Sequence, residues 1–322
     1  MTSRAAVLQA RVKPVVVEKK KTLWQRIVAA RTLLLMFLPG FALILVFDYG
    51  PMYGLQIAFK DLNIIQGIWG SPWVGLKHFR AFFGNPAAMK VVRNTIEISL
   101  LRIAFGFPAP IILALALNEV KDGFFKRFTQ TVSYLPHFIS WIIIAALFNA
   151  MLSPSGGVVN TIIKAFGGRP IYFMASPQWF RPVLIFSAIW KEVGWGAVIY
   201  LAALSGVDPT LYEAAIVDGA TRLQRMRYIG LPSIMPVITI VLILSMGGIL
   251  NAGFDQIFNM YNARVYDVAD IIDTFVYRAG LVSMEYSFST AVGLFKSVVG
   301  LILVLIVNSI ASRVSEERQG LW

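Results

Sequence analysis

Residues 209–232 read PTLYEAAIVDGATRLQRMRYIGLP, a polar and basic interval set between two strongly apolar runs. Asp208 is placed to cap a helix whose first residue, Pro209, has no N–H to leave unsatisfied. Leu211, Ala214, Ala215 and Val217–Asp218 carry helical spacing, and Gly219 can close that helix in the left-handed conformation. Thr221 can cap a second helix bearing Arg222, Arg225 and Arg227. Leu231-Pro232 then turns the chain into the next apolar run. A compact helix–Gly–helix between two apolar runs is expected to be a docking element outside a membrane.

Outward from this stretch the chain is built for a bilayer. Of its 322 residues 57% are hydrophobic and 14% charged, and the mean hydropathy is +0.68; soluble domains carry roughly 25% charged residues. Six segments, 32–50, 94–117, 128–152, 183–204, 233–254 and 289–311, meet the about 17–25 apolar residues a spanning helix needs. The expectation is an all-α polytopic protein with six transmembrane helices. Residues 1–31 form a basic tail ending in an interfacial helix (Leu23, Trp24, Ile27, Val28), 32–311 a membrane domain containing the 205–232 element, and 312–322 a second tail. Pro39, Pro108, Pro110 and Pro136 fall inside spans, where neighbouring helices can satisfy the freed backbone. Of the 29 Lys and Arg, 16 lie on the side of the two tails and the 118–127 and 205–232 loops, against 10 on the other. That bias predicts both termini in the cytoplasm. The apolar stretch after the basic tail has no small-residue cleavage site and Phe47-Asp48-Tyr49 continues into more chain, so cleavage as a signal peptide is not expected.

Several function classes drop out. There is no cysteine, hence no disulfide framework and no thiolate nucleophile or ligand. His78 and His137 are too few and too far apart for a metal site. The net charge of +12 sits largely on the membrane flanks, with no basic–aromatic nucleic-acid module. Lys296-Ser297 follows only Gly293, in an apolar segment, so it is no phosphate-binding loop. Neither a Ser/His/Asp constellation, a paired-carboxylate glycosidase pattern nor a dinucleotide fingerprint is present.

Glu213-Ala214-Ala215, three residues, Gly219, nine residues, Ile229, one residue and Leu231-Pro232 match E-A-A-x3-G-x9-I-x-L-P. In this the chain resembles the permease subunits of binding-protein-dependent ABC importers. Leu38-Pro39-Gly40, Tyr53-Gly54-Leu55, Trp73-Val74-Gly75-Leu76 with Phe79, and Tyr286-Ser287-Phe288-Ser289-Thr290-Ala291 look like the sugar-uptake branch. From about residue 31 onward it is similar to permeases for oligosaccharides and acidic polysaccharides such as alginate. The resemblance implies the type I importer permease fold in a bacterial inner membrane. It implies a homologous second permease, two ATP-binding subunits that hold ATP and Mg while this chain binds no cofactor, and an extracytoplasmic binding protein. It also implies that Glu213, Ala214, Ala215, Asp218, Gly219, Ile229, Leu231 and Pro232 couple to the ATPase.

Ionisable residues inside spans are expensive in hydrocarbon and face the bundle or a wet path. Lys191 and Glu192 lie roughly 12–13 Å into the fourth span and, as sequence neighbours, point to different partners. With Trp195, Asn251, Phe254 and Asp255 they are the candidates for a saccharide path. Glu97, Arg102 and Lys296 read instead as inter-helix pairs. The alternative in another class, an ion-coupled carrier or channel, would place ionisable residues on broken helices in inverted repeats and would need no docking loop.

Overall fold

The computed structural model describes residues 22–314. Its regular structure is helical; among the described residues the one β-type pairing is an isolated bridge between Lys60 and Trp73. The chain divides into two compact units, Met1–Gly54 and Leu55–Trp322. A short helix, Leu23–Ala29, precedes α1, Arg31–Phe59, whose side chains from 31 to 53 are all exposed.

The second unit contains α2 (Pro86–Asn118), α3 (Phe124–Phe138), α4 (Trp141–Leu152) and α5 (Pro177–Leu204). These are followed by α6 (Pro209–Val217), α7 (Arg222–Ser233), α8 (Met235–Gly247), α9 (Phe254–Met260) and α10 (Tyr286–Val314). Among the described residues four helices, α1, α2, α5 and α10, are each long and apolar enough to cross a membrane; counting each bent pair, α3–α4 and α7–α8, as one span gives up to six.

The organising helix is α5. Near its C-terminal end Ala197, Tyr200 and Leu204 pack on Ile111, Ala114 and Leu115 of α2 and on Ile234. Nearer its start Phe180, Val183 and Leu184 pack on Ile144, Ala145 and Phe148 of α4 and on Ile257 and Met260 of α9. Helices in lipid gain little from burying apolar area against each other, so close contact through small residues carries the packing. Gly194 of α5 lies directly against the Ser133 backbone of α3, where a Cβ has no room.

Three prolines inside the helical spans are accommodated in the same way. The residue before Pro51, Pro108 and Pro232 donates its N–H five residues back: Gly50 to Leu45, Phe107 to Arg102, Leu231 to Met226. Each widened π turn sits where a proline ring would strike the preceding turn of an α-helix.

Two expected spans are corrected. Residues 128–152 are not one helix: α3 and α4 bend by 106°, because α3 tightens to a 3-10 turn over Leu135–Phe138, around Pro136, and Ile139 and Ser140 are extended (ψ 133° and 151°). The span expected over 233–254 stops at Gly247. Ala252 and Gly253 then turn left-handed (φ 42° and 85°) before α9 begins. Elsewhere, Leu62 donates its N–H to Ser287 Oγ at 2.9 Å, which ties the loop after α1 to the head of α10.

Candidate functional site

Two places concentrate chemistry: the 205–233 element at one end of the bundle, and a polar layer where the α3–α4 and α8–α9 breaks meet α5.

The element is specified locally. Asp208 accepts the Thr210 N–H at 2.9 Å, and that donation holds its carboxyl below the usual range. At the other end of α6, Gly219 donates to Ile216 O at 3.1 Å and Ala220 to Ala215 O at 2.8 Å. This pair of bonds is the Schellman closure and needs a left-handed residue. Gly219 supplies it at φ 78° with nothing within 4 Å of where a Cβ would lie, so conformation, not space, requires glycine. Thr221 and Gln224 form a reciprocal capping box at the head of α7.

The element is also anchored. Asn118 donates to Tyr212 Oη at 3.3 Å; burial, then the nearby Glu119 carboxylate, push that phenol's pKa up. A Cβ on Gly230 would lie 2.9 Å from Leu115 and 3.3 Å from Tyr212 Oη, so glycine permits α7 to close on α2. Arg225 pairs with Glu119, Nε to Oε2 at 3.2 Å. What faces outward is the rest of the motif: Glu213, Ala214, Asp218, Gly219 and Pro232 are exposed, with Ala215, Ile229 and Leu231 half-buried. Val217 and Leu223 are 87% and 72% exposed, an apolar surface that a partner protein can cover.

In the polar layer Lys191 is only 7% exposed. Its ammonium donates to the carbonyls of Pro136 (3.4 Å), His137 and Ile139 (2.7 Å) and lies 5.6 Å from the Trp141 ring. It therefore closes the α3–α4 break. Glu192, expected to have a different partner, meets Lys191 at the same residue: its Oε1 lies 4.0 Å from the ammonium and its Oε2 bonds His137 Nδ1 at 2.8 Å, while Trp195 stacks on that imidazole at 4.7 Å and 5°. Arg102 donates to Gln256, with Gly253 laid against its guanidinium. Gln256 in turn donates to Leu184 O and Ser187 Oγ, both at 2.7 Å.

The six path candidates do not converge on one point. Lys191, Glu192 and Trp195 gather around His137. Asn251 lies apart, in a cleft of about 460 Å³ beside the Lys296–Asp273 pair (2.5 Å). Phe254 stacks on Phe258 at 5.3 Å, and Tyr277 meets Phe258 edge-on at 4.9 Å. Asp255 is exposed. Glu97 pairs with Arg181 of α5. The sequence reading missed Glu119, His137 and Gln256. For Gln256 the available signal was an amide beside the apolar Ile257-Phe258.

Residues 106–316 match the family described as binding-protein-dependent transport system inner membrane component. The chain is 48% identical to the polygalacturonan/rhamnogalacturonan transport system permease protein YteP of Bacillus subtilis (strain 168), over 93% of this chain and 94% of YteP. It is 47% identical to protein LplB of the same organism, over 88% and 90%. Among solved structures it is similar to a chain of a bacterial ABC transporter involved in the import of the acidic polysaccharide alginate. The TM-score there is 0.85, with 42% identity, 92% of this chain covered and 100% of that one. A second structure, of the alginate transporter in complex with alginate pentasaccharide-bound periplasmic protein, gives 0.84 at 42%, covering 92% and 99%. A fold of bent and straight spans around α5, an exposed and rigidly capped element between two of them, and these likenesses give one conclusion: the chain belongs to the inner-membrane permease components of binding-protein-dependent transport systems.

Proposed function

We propose that this chain is one of two homologous permeases in an ATP-driven importer of acidic saccharides. Of the two ATP-binding subunits, one seats on the 205–233 element of this chain in the cytoplasm, where both termini lie, and an extracytoplasmic binding protein delivers the saccharide. Closure of the ATPases on nucleotide displaces α6. The attached spans then tilt between inward- and outward-open arrangements, a population shift driven by differential nucleotide binding.

The observation that carries this reading is the element itself. Five of its eight motif residues, Glu213, Ala214, Asp218, Gly219 and Pro232, are presented outward on two capped helices whose inner faces are fixed to α2. Coupling is assigned to Glu213, Ala214, Ala215, Asp218, Gly219, Ile229, Leu231 and Pro232. For the substrate, two relatives whose names carry acidic polysaccharides, YteP and the alginate transporter, support a polyuronate. The path is assigned to Glu192 and Trp195 around His137, continuing past Asn251, Phe254 and Asp255, with Lys191 holding the bend beside it.

The test is uptake by the complex purified with its partner subunits and reconstituted in proteoliposomes. Oligogalacturonate and alginate oligomers should be taken up in an ATP-dependent way, and malto-oligomers of equal length should not. Equal uptake of neutral and acidic oligomers would remove the acidic assignment; uptake that ignores ATP and follows an ion gradient would remove the importer reading.

A further inference from the structure

We infer that Glu119 and Arg225 form a strut that carries the movement of the 205–233 element into α2; the inference rests on the coupling reading above. The covalent connections of the element run only to α5, through 205–208, and to α8, through Ile234. Helix α2 has no such connection and can be moved only through contacts.

The pair is placed for that task. Arg225 does not face solvent as Arg222 and Arg227 do; its side chain is 14% exposed and that of Glu119 8%. Both Nε and Nη2 of Arg225 donate to Glu119 Oε2, while Nη1 donates to Ala220 O at 3.0 Å. One guanidinium therefore joins the bend after Gly219 to the end of α2. Glu119 is the C-terminal cap residue of α2, where a carboxylate is opposed by the helix dipole. Its position is unfavourable for the helix alone and is compensated by the guanidinium.

Of the other charges lining the same cleft of about 540 Å³, Asp122 and Lys126 pair with each other at 2.8 Å, and Lys121, Glu213 and Arg222 are exposed. The remaining contacts from the element to α2 are neutral: the Asn118–Tyr212 bond, the Leu115–Gly230 packing, and Met226 and Leu231 against the cluster of Ile111, Ala114 and Leu115. Buried ion pairs add little net stability over apolar substitutes but fix a geometry strongly. A push on α6–α7 then reaches Glu119 and moves the end of α2 together with α5, to which Ile111, Ala114 and Leu115 bind it.

The test uses the complex purified with its partner subunits in proteoliposomes. It reads copurification, basal ATPase, and ATPase stimulation by binding protein loaded with oligogalacturonate. Glu119→Gln should copurify with basal ATPase within twofold of wild type, while stimulation falls at least fivefold. Combining Glu119→Arg with Arg225→Glu should recover at least half of it. The chain has no cysteine, so Glu119→Cys with Arg225→Cys introduces two unique thiols in it. This variant should lose stimulation, regain it within twofold when a reversible bifunctional thiol reagent bridges the pair, and lose it again on reduction. Wild-type stimulation in Glu119→Gln, or no recovery on bridging, overturns the strut. If Glu119→Gln fails to assemble, the bridged complex decides in the same way. Gly219→Val separates the two levels: if it too keeps wild-type stimulation, the coupling reading falls and the strut with it.

Discussion

The 205–233 element and the polar layer are built by opposite means. In the element each bend is enforced within a few residues: Asp208 on Thr210, Gly219 and Ala220 back on α6, Thr221 against Gln224. In the polar layer the partners are far apart in the chain: Lys191 with 136–139, Glu192 with His137, Arg102 with Gln256. The exposed part, which on the proposed reading meets the ATPase, holds its bends through local caps. A part at a helix break inside the bundle depends on distant groups to satisfy its backbone, and removing one exposes several.

The largest effect is therefore expected in the layer. Lys191→Met leaves buried carbonyls at the α3–α4 break without a donor, at about 1–3 kcal/mol for each such group. The purified chain should unfold at a markedly lower temperature in detergent, and oligogalacturonate uptake should fall in step with the assembled complex lost. An unfolding temperature and assembly like the wild type's, with oligogalacturonate uptake lost all the same, would move Lys191 from the scaffold to the ligand. Next comes Gly230→Val, which forces a side chain between Leu115 and Tyr212. Overpacking of this kind costs about 1–3 kcal/mol, and thermal unfolding should fall with ATPase stimulation.

Glu192→Gln sharpens the contrast. Its side chain is 47% exposed and bonded to His137, so unfolding should change little. Uptake of oligogalacturonate should change by several-fold in KM. An unchanged KM would take Glu192 off the path.

The difference between the two regions also explains what could be read from sequence. The caps at Asp208, Gly219 and Thr221 were legible because each is a rule about adjacent residues. The spans were legible from apolar length, yet the breaks at 136–140 and 247–253 were not. Proline inside a span is compatible with a π turn, as at Pro108, or with a full bend, as at Pro136, and neighbouring helices decide between them. Lys191 showed as a buried cation, but its carbonyl partners lie 52–55 residues away, and only the fold identifies them. Glu119 was invisible because a carboxylate just past a span end looks like solvated loop until Arg225 is brought against it.

The smallest effect is expected at the Asp208 cap. Its carboxyl is depressed by the Thr210 N–H, so the cap is fully present at neutral pH and is lost as pH falls through that depressed value. Asp208→Asn, which caps equally well, should leave ATPase stimulation unchanged near neutrality. Asp208→Ala should lower it by less than twofold. A larger loss would mean that the carboxylate meets the ATPase directly.

Gly219 tests the central claim most directly, because only its left-handed conformation holds the two helices of the element in register. Stimulation of ATPase activity by loaded binding protein should be compared across wild-type, Gly219→Asn and Gly219→Val complexes of equal subunit composition. Asn enters the left-handed region readily and a β-branched residue does not. The account predicts that Asn keeps at least half of the stimulation and Val loses it tenfold or more. Wild-type stimulation in Gly219→Val, or equal loss in both variants, would contradict it.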